Sequence, residues 1–244
     1  MTETQDRDQQ LQTEFNRWAE AGEGEKMENH HLDITQKALR LMHLQPSDKV
    51  LDLGCGSGWA SRLLAKEAGE VTGLDVSDEM VKQAAASSKN FANTKFLWGS
   101  AQKIPCVDNS FDKMLSVESF YYYADQDSAL DEIFRVMAPG GRIFILINLY
   151  KDNEYSLQWV HLLKVPVHVR SADEYAAMFC KHRFQNVAWK QIPDDTPTPD
   201  DYQTKSFRSL DDLRAFKRTG ALLLMGTKPG APALSGSLRQ GGDF

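Results

Sequence analysis

The stretch KVLDLGCGSGWAS at residues 49–61 limits what this chain can fold into more than any other. Val50, Leu51 and Leu53 make a short apolar run, glycines follow at 54, 56 and 58, and a helical pattern then begins with Trp59, Leu63 and Leu64. An apolar run of that length, interrupted by alternate glycines and resumed at helical period, predicts strand, tight turn and helix. Glycine suits such a turn because positive φ costs it nothing, and because the missing Cβ lets a ligand lie against the backbone. The first amide groups of the helix have no intrahelical partner and face that ligand.

Spacing separates the ligand classes. A dinucleotide fingerprint, G-x-G-x-x-G, needs glycine at position 59, where this chain has tryptophan. A second apolar run at 71–74 ends in Asp75, twenty-one positions beyond Gly54, where a carboxylate can accept both hydroxyls of a ribose. Farther on, ALDEIFRVM leads through Pro139, Gly140 and Gly141 into a buried strand. The G-x-G-x-G turn, the spaced acid and the later Pro-Gly-Gly together resemble the class I S-adenosylmethionine-dependent methyltransferases. The match is to their small-molecule branch (methyltransferase type 11), which includes the quinone-biosynthesis enzymes.

That resemblance covers residues 47–148 by motif and extends to 227 by element order. It implies an α/β fold: a Rossmann-like, seven-stranded, mostly parallel sheet with helices on both faces, an antiparallel last strand and an N-terminal helical lid. S-adenosyl-L-methionine is the implied cofactor and S-adenosyl-L-homocysteine the product. Asp52, Gly54, Cys55, Gly56 and Gly58 fall at the turn, Asp75 on the ribose, and Val76 and Met80 on either side of the adenine. The segment GSAQKIP at 99–105 resembles the family's G-D-A-x-x-L-P. It brings Ser100, Ala101 and Gln102 to the adenine, but Ser100 stands where an aspartate accepts from the adenine amino group. Ser100 and Gln102 are both open as acceptors.

The fourth strand ends at Val117, beside the expected position of the donor methyl, and Glu118 to Tyr123 follow. The D/N-P-P-Y/F signature that DNA and RNA amino-methyltransferases carry there is missing. His31 and Glu118 are the candidate catalytic bases by position, and Glu28 shares the segment ahead of the glycine turn. Tyr121, Tyr122, Tyr123 and Trp159 are candidates for an aromatic substrate wall.

With 244 residues, 41% of them hydrophobic, the chain can bury a full core. A net charge of −6 argues against a broad phosphate-binding face and so against nucleic acid, leaving a small-molecule methyl acceptor as the expected partner. Cys55, Cys106 and Cys180 form no C-x-x-C pair, which predicts no metal site and a reducing compartment. The N-terminus has no apolar signal core and no run long enough to span a bilayer, so a cytoplasmic location is expected. No motif speaks to oligomeric state.

The expected organisation is a disordered tail at 1–10, a single methyltransferase domain at 11–227 and a flexible tail at 228–244. Within the domain, 11–45 is a helical lid carrying the Leu11, Phe15 and Trp18 stripe, broken at Gly22 and Gly24, and 149–170 is a substrate-side insertion. Two alternatives stand beside the methyltransferase reading. Trp59 argues against a nucleotide-dependent oxidoreductase on a similar sheet. A non-catalytic module that binds S-adenosylmethionine is left open by the glycines and Asp75.

Overall fold

The computed structural model describes residues 3–203 and 206–230. Two helices come first, α1 (Glu3–Glu20) and α2 (Glu23–Met42), followed by β1 (Lys49–Leu53), α3 (Trp59–Leu64), β2 (Glu70–Asp75), α4 (Asp78–Ser87), β3 (Thr94–Trp98) and β4 (Phe111–Val117). After a 3₁₀ turn at Phe120–Tyr122 come α5 (Gln126–Val136), β5 (Met137–Ile147), a second 3₁₀ stretch at Glu154–His161, α6 (Ala172–Lys181), β6 (Gln185–Ile192), α7 (Leu210–Thr219) and β7 (Ala221–Thr227).

The described residues form a seven-stranded sheet in the order β3-β2-β1-β4-β5-β7-β6. β1 to β5 run parallel, and β7 lies antiparallel between β5 and β6. Central strands of such a sheet are covered on both faces and therefore read as continuous apolar runs. Val50, Leu51 and Leu53 of β1 and residues 143–147 of β5 are fully buried accordingly. One face packs on α2 and α3 through Ile34, Leu39, Met42, Trp59 and Leu64. The other packs on α5 and α6 through Leu130, Ile133, Tyr175 and Phe179.

Local chemistry sets the helix starts. Ser77 Oγ accepts from the Met80 amide to cap α4, and Ser171 with Glu174 forms a full capping box on α6; each cap is worth about 1 kcal/mol. Strand β1 is pinned at its open end, where the Lys49 amide donates to Asp112 Oδ2 and Lys113 Nζ pairs with Asp48 in a nearly buried ion pair.

The N-terminal expectations need correction. Residues 3–10 belong to α1 and are not a disordered tail. Gly22 does separate the two helices, at φ +70°, but Gly24 lies inside α2 and breaks nothing. The second half of the 11–45 segment is core, since Ile34, Ala38 and Met42 are buried against the sheet. At the other end, the Lys228 amide donates to Gly141 O and its Nζ reaches Asn109 and Met137, so the expected flexible tail does not begin there. Its remainder, 231–244, lies outside the described residues.

Candidate functional site

The C-terminal ends of β1, β2, β3 and β4 lie side by side, and a cavity of about 850 Å³, counting its open mouth, sits on them. In an open parallel sheet this edge is where ligands bind. Gly54, Gly56 and Gly58 turn the chain out of β1 with φ of +77°, +51° and +77°, values that strain any side chain. The first and second glycines have different reasons to be glycine. A Cβ on Gly54 would lie 2.3 Å from Ser119 Oγ, whereas one on Gly56 would meet nothing within 4 Å and would point into open space. Gly54 is required by packing, and Gly56 is required where a ligand would lie on the backbone.

Asp75 closes the turn from β2. Its Oδ2 accepts from the Gly56 amide at 2.8 Å and its Oδ1 from the Ser77 amide at 2.9 Å, so each oxygen keeps a lone pair for a ligand hydroxyl. Burial pushes its carboxyl above the usual range against those stabilising amides. Beside it, the Gly99 amide donates to Asp75 O at 2.9 Å, which places the 99–102 loop next along the edge. Val76, Met80, Ser100, Ala101 and Gln102 all line this end of the cavity.

At the opposite end Glu118 follows β4 in a left-handed conformation, φ +53°, which is uncommon for a non-glycine residue and is found where surrounding contacts enforce it. Those contacts are visible: the Glu118 amide donates to Leu146 O, its Oε1 accepts from the Asn148 amide at 2.7 Å, and its Oε2 accepts from the Tyr121 hydroxyl at 3.0 Å. Burial raises the Glu118 carboxyl to about 7, with those donors opposing the rise. His31 Nε2, from α2, lies 3.9 Å from Glu118 Oε2. Its Nδ1 is 2.7 Å from Met27 O, so Nδ1 carries the proton and Nε2 is a free acceptor. Burial lowers the imidazole's proton affinity. The two candidate bases, eighty-seven positions apart in sequence, are therefore adjacent.

Most of the other anticipated residues converge on the same cavity. Cys55, Val117 and Tyr122 line it. Asp52 does not: it lies beneath the turn, accepts from Ser61 Oγ at 2.5 Å, and is raised to about 7 by burial. Gly58 is likewise behind the wall, where a Cβ would press on Ala84 and Phe96. Tyr121 supports Glu118 from the side. Trp159 requires correction. It stacks edge-on with Phe207 and Phe216 and donates to Ser206 O, which places it in a separate aromatic cluster. No residue of 149–170 lines the cavity.

Asp8, Ser57 and Ser119 also line the cavity without having been anticipated, and Tyr123 of the anticipated aromatic run lines it beside Tyr122. Ser119 Oγ and Tyr123 OH meet 3.0 Å apart, and both reach Leu53 O, tying the segment after β4 to the end of β1. Nothing local in the sequence marks Asp8, Ser57 or Ser119. Among the described residues the charged side chains lining the cavity are Asp8, Asp75 and Glu118, with no lysine or arginine. A pyrophosphate would meet three carboxylates there, whereas a cationic ligand is suited to them. No group of three His, Cys, Asp or Glu side chains among the described residues is arranged to hold a metal ion, and no helix among them is long and apolar enough to cross a membrane.

Sheet order, glycine turn and β2 carboxylate define a nucleoside-binding α/β protein of Rossmann-like class. A family model described as a methyltransferase domain matches residues 44–196. A chain from the complex between the Haloferax volcanii Trm112 methyltransferase activator and a methyltransferase is 34% identical and superposes with a TM-score of 0.82, over 88% of this chain and 98% of that one. The uncharacterized methyltransferase YcgJ of Bacillus subtilis (strain 168) is 28% identical over 192 residues, 75% of either chain. Ubiquinone/menaquinone biosynthesis C-methyltransferase UbiE of Legionella pneumophila (strain Paris) is 32% identical over 123 residues, 48% of this chain and 49% of that protein, so this chain matches about half the length of that relative. The chain belongs to the methyltransferase domain family and is a class I S-adenosylmethionine-dependent methyltransferase. The cavity fits that cofactor, with open space over Gly56, spare lone pairs on Asp75 and carboxylates facing a cation.

Proposed function

We propose that this protein transfers the methyl group of S-adenosylmethionine directly to a small-molecule acceptor, and that Glu118 takes the proton the acceptor must lose. The observation that carries this reading is the Glu118 carboxylate, buried beside the cavity with a proton affinity near neutrality and His31 Nε2 at 3.9 Å. Bound cofactor supplies an electrophilic methyl group, so the protein's part is to align the two reactants and exclude water.

In this reading Asp75 accepts the ribose hydroxyls and the 54–58 turn holds the methionine portion. Tyr121 and Asn148 fix the Glu118 carboxyl at the far end. His31 Nε2 faces the Glu118 carboxyl as an acceptor at 3.9 Å, because Nδ1 already donates to Met27 O. A base tuned close to ambient pH contributes about 10²- to 10⁴-fold. Tyr122 and Phe15, in edge contact at 5.1 Å, supply an apolar wall for the acceptor. A cytoplasmic setting is part of the same proposal, supported by the free thiols of Cys55, Cys106 and Cys180.

The solved relative's complex with the Trm112 methyltransferase activator supports a further element: an activator protein as partner of this chain. The deciding experiment is transfer of labelled methyl from S-adenosylmethionine to a panel of phenols, hydroquinones, amines and thiols, run with and without a co-expressed Trm112-type activator. Label should enter a small molecule, and Glu118→Gln should remove most of it while S-adenosylhomocysteine still binds. Tight cofactor binding with no transfer under either condition would favour the non-catalytic module. Transfer confined to protein or RNA would overturn the small-molecule acceptor.

A further inference from the structure

The end of the cavity formed by the 99–102 loop has a polar wall with no charge of its own in the loop, only Ser100 and Gln102. A carboxylate nevertheless stands there. Asp8, on the second turn of α1, lines the cavity, with its Oδ2 accepting from Ser100 Oγ at 2.6 Å and its Oδ1 lying 3.2 Å from Gln102 Nε2. These are the polar contacts of its side chain, and each oxygen retains acceptor capacity. Leu11, Val76, Met80 and Ala101 line the cavity with it. The result is an apolar slot, with a fixed anionic acceptor, suited to a flat heterocycle carrying an amino group.

Position along the sheet edge says which part of the cofactor falls here. β1 with the glycine turn and β4 with Glu118 lie on one side of Asp75, and β3 with the 99–102 loop lies on the other. With the ribose on Asp75 and the reacting sulfur toward Glu118, the adenine must extend toward β3. We propose that Asp8 is the adenine-reading residue of this protein: its carboxylate, oriented by Ser100 and Gln102, accepts a hydrogen bond from the exocyclic amino group. The acceptor role is thereby moved from the sheet to the N-terminal helix, and adenine recognition becomes the same event as seating α1. This rests on the cofactor placement proposed above.

The same helix is fastened at two other points on this side. Gln12 Nε2 and Asn16 Nδ2 both donate to Asp78 Oδ1 at 3.1 Å, and Asn16 Oδ1 accepts from Ser77 Oγ at 2.5 Å. Removing Asp8 therefore leaves α1 anchored, and the consequences can be read in binding.

The test uses the full chain and two ligands, S-adenosylhomocysteine and its 6-oxo counterpart S-inosylhomocysteine, which presents an acceptor where adenine presents a donor. By calorimetry the unaltered protein should prefer S-adenosylhomocysteine by about 10- to 100-fold, the worth of one hydrogen bond to a charged group. Asp8→Asn, whose side chain can donate as well as accept, should bring the two affinities within about threefold. Asp8→Ala combined with Ser100→Asp, which returns a carboxylate to the loop, should restore the preference. If Asp8→Asn weakens both ligands equally, Asp8 is only a latch for α1 and the proposal is overturned. Unchanged preference in Asp8→Asn overturns it as well. If the unaltered protein binds neither ligand, the cofactor placement itself falls, and the adenine assignment with it.

Discussion

The cavity has two walls of different construction. The sheet-borne wall, residues 53–57, 75–76 and 117–119, is held by backbone: parallel strand pairing, glycines with positive φ, and carboxylates accepting from main-chain amides. The helix-borne wall, from α1 and the start of α2, is held by side chains: Asp8 to the 99–102 loop, Gln12 and Asn16 to the α4 start, Gln83 to Ala19 O, and Phe15 against Tyr122. In α1, Leu11 and Ala19 are its buried apolar residues, whereas β1 is buried almost throughout. Backbone pairing in a sheet opens only with global unfolding, but a few side-chain bonds can break and re-form locally. The first wall is thus a rigid template, and the second has the construction of a lid that closes over a bound ligand.

The largest expected effect strikes the rigid wall. Gly56→Val puts a branched side chain into the open space above the turn and holds it at φ +51°, a strain of about 1–2 kcal/mol. The protein should fold, with cofactor binding lost beyond detection in a calorimetric titration. Normal binding by the folded variant would show that the ligand does not lie on this turn.

Next is Glu118→Gln, with a pH signature. A carboxyl raised from 4.5 to about 7 in the folded protein holds its proton more tightly than in the unfolded chain. Its contribution favours folding below about 4.5 and is lost as pH climbs to about 7. Asp52, also raised to about 7, acts in the same direction, so Glu118→Gln should flatten part of that decline in a pH series of melting temperatures. Methyl transfer by the unaltered protein should rise with pH through about 7 as Glu118 becomes able to accept a proton. The variant should lose this limb and about 10²- to 10⁴-fold of rate. An unaltered pH profile would remove Glu118 from proton transfer.

Deleting residues 1–20 probes the second wall directly. The sheet and its two packed faces remain, so one cooperative melting transition should persist at a lower temperature. Affinity for S-adenosylhomocysteine should fall at least about tenfold, through loss of both Asp8 and the cover. Loss of the transition would make α1 part of the core, and undiminished affinity would make the lid dispensable.

The smallest effect is expected outside both walls. Trp159→Ala removes a ring that packs on Phe207 and Phe216, so the melting temperature should drop by a few degrees. Cofactor affinity and transfer should stay within about twofold of the unaltered protein. A strong loss of transfer without loss of stability would return Trp159 to the acceptor site.

By itself the sequence determined the parts that depend on nearest neighbours. Alternation of apolar runs with helical stripes gave the strands, glycines with positive φ located the turn, Ser77 and Ser171 marked their helix starts, and Asp75 followed from its spacing. All of these are encoded within a few residues or one strand-helix unit, so local periodicity and φ preference suffice to read them. Tertiary structure alone decided which distant groups meet. Residues 3–10 lack an apolar stripe and read as a tail, yet they are helical, and Arg7 and Asp8 bond Ala124 O and the 99–102 loop. His31 meets Glu118, and Tyr121 turns its hydroxyl onto that carboxylate, because α2 and the segment after β4 pack over the same sheet edge. Trp159 turns away to Phe216, although its aromatic neighbourhood reads like a substrate wall. Such meetings depend on how each helix is docked and rotated on the sheet, a geometry fixed by packing across the whole core and not by any single stretch of chain.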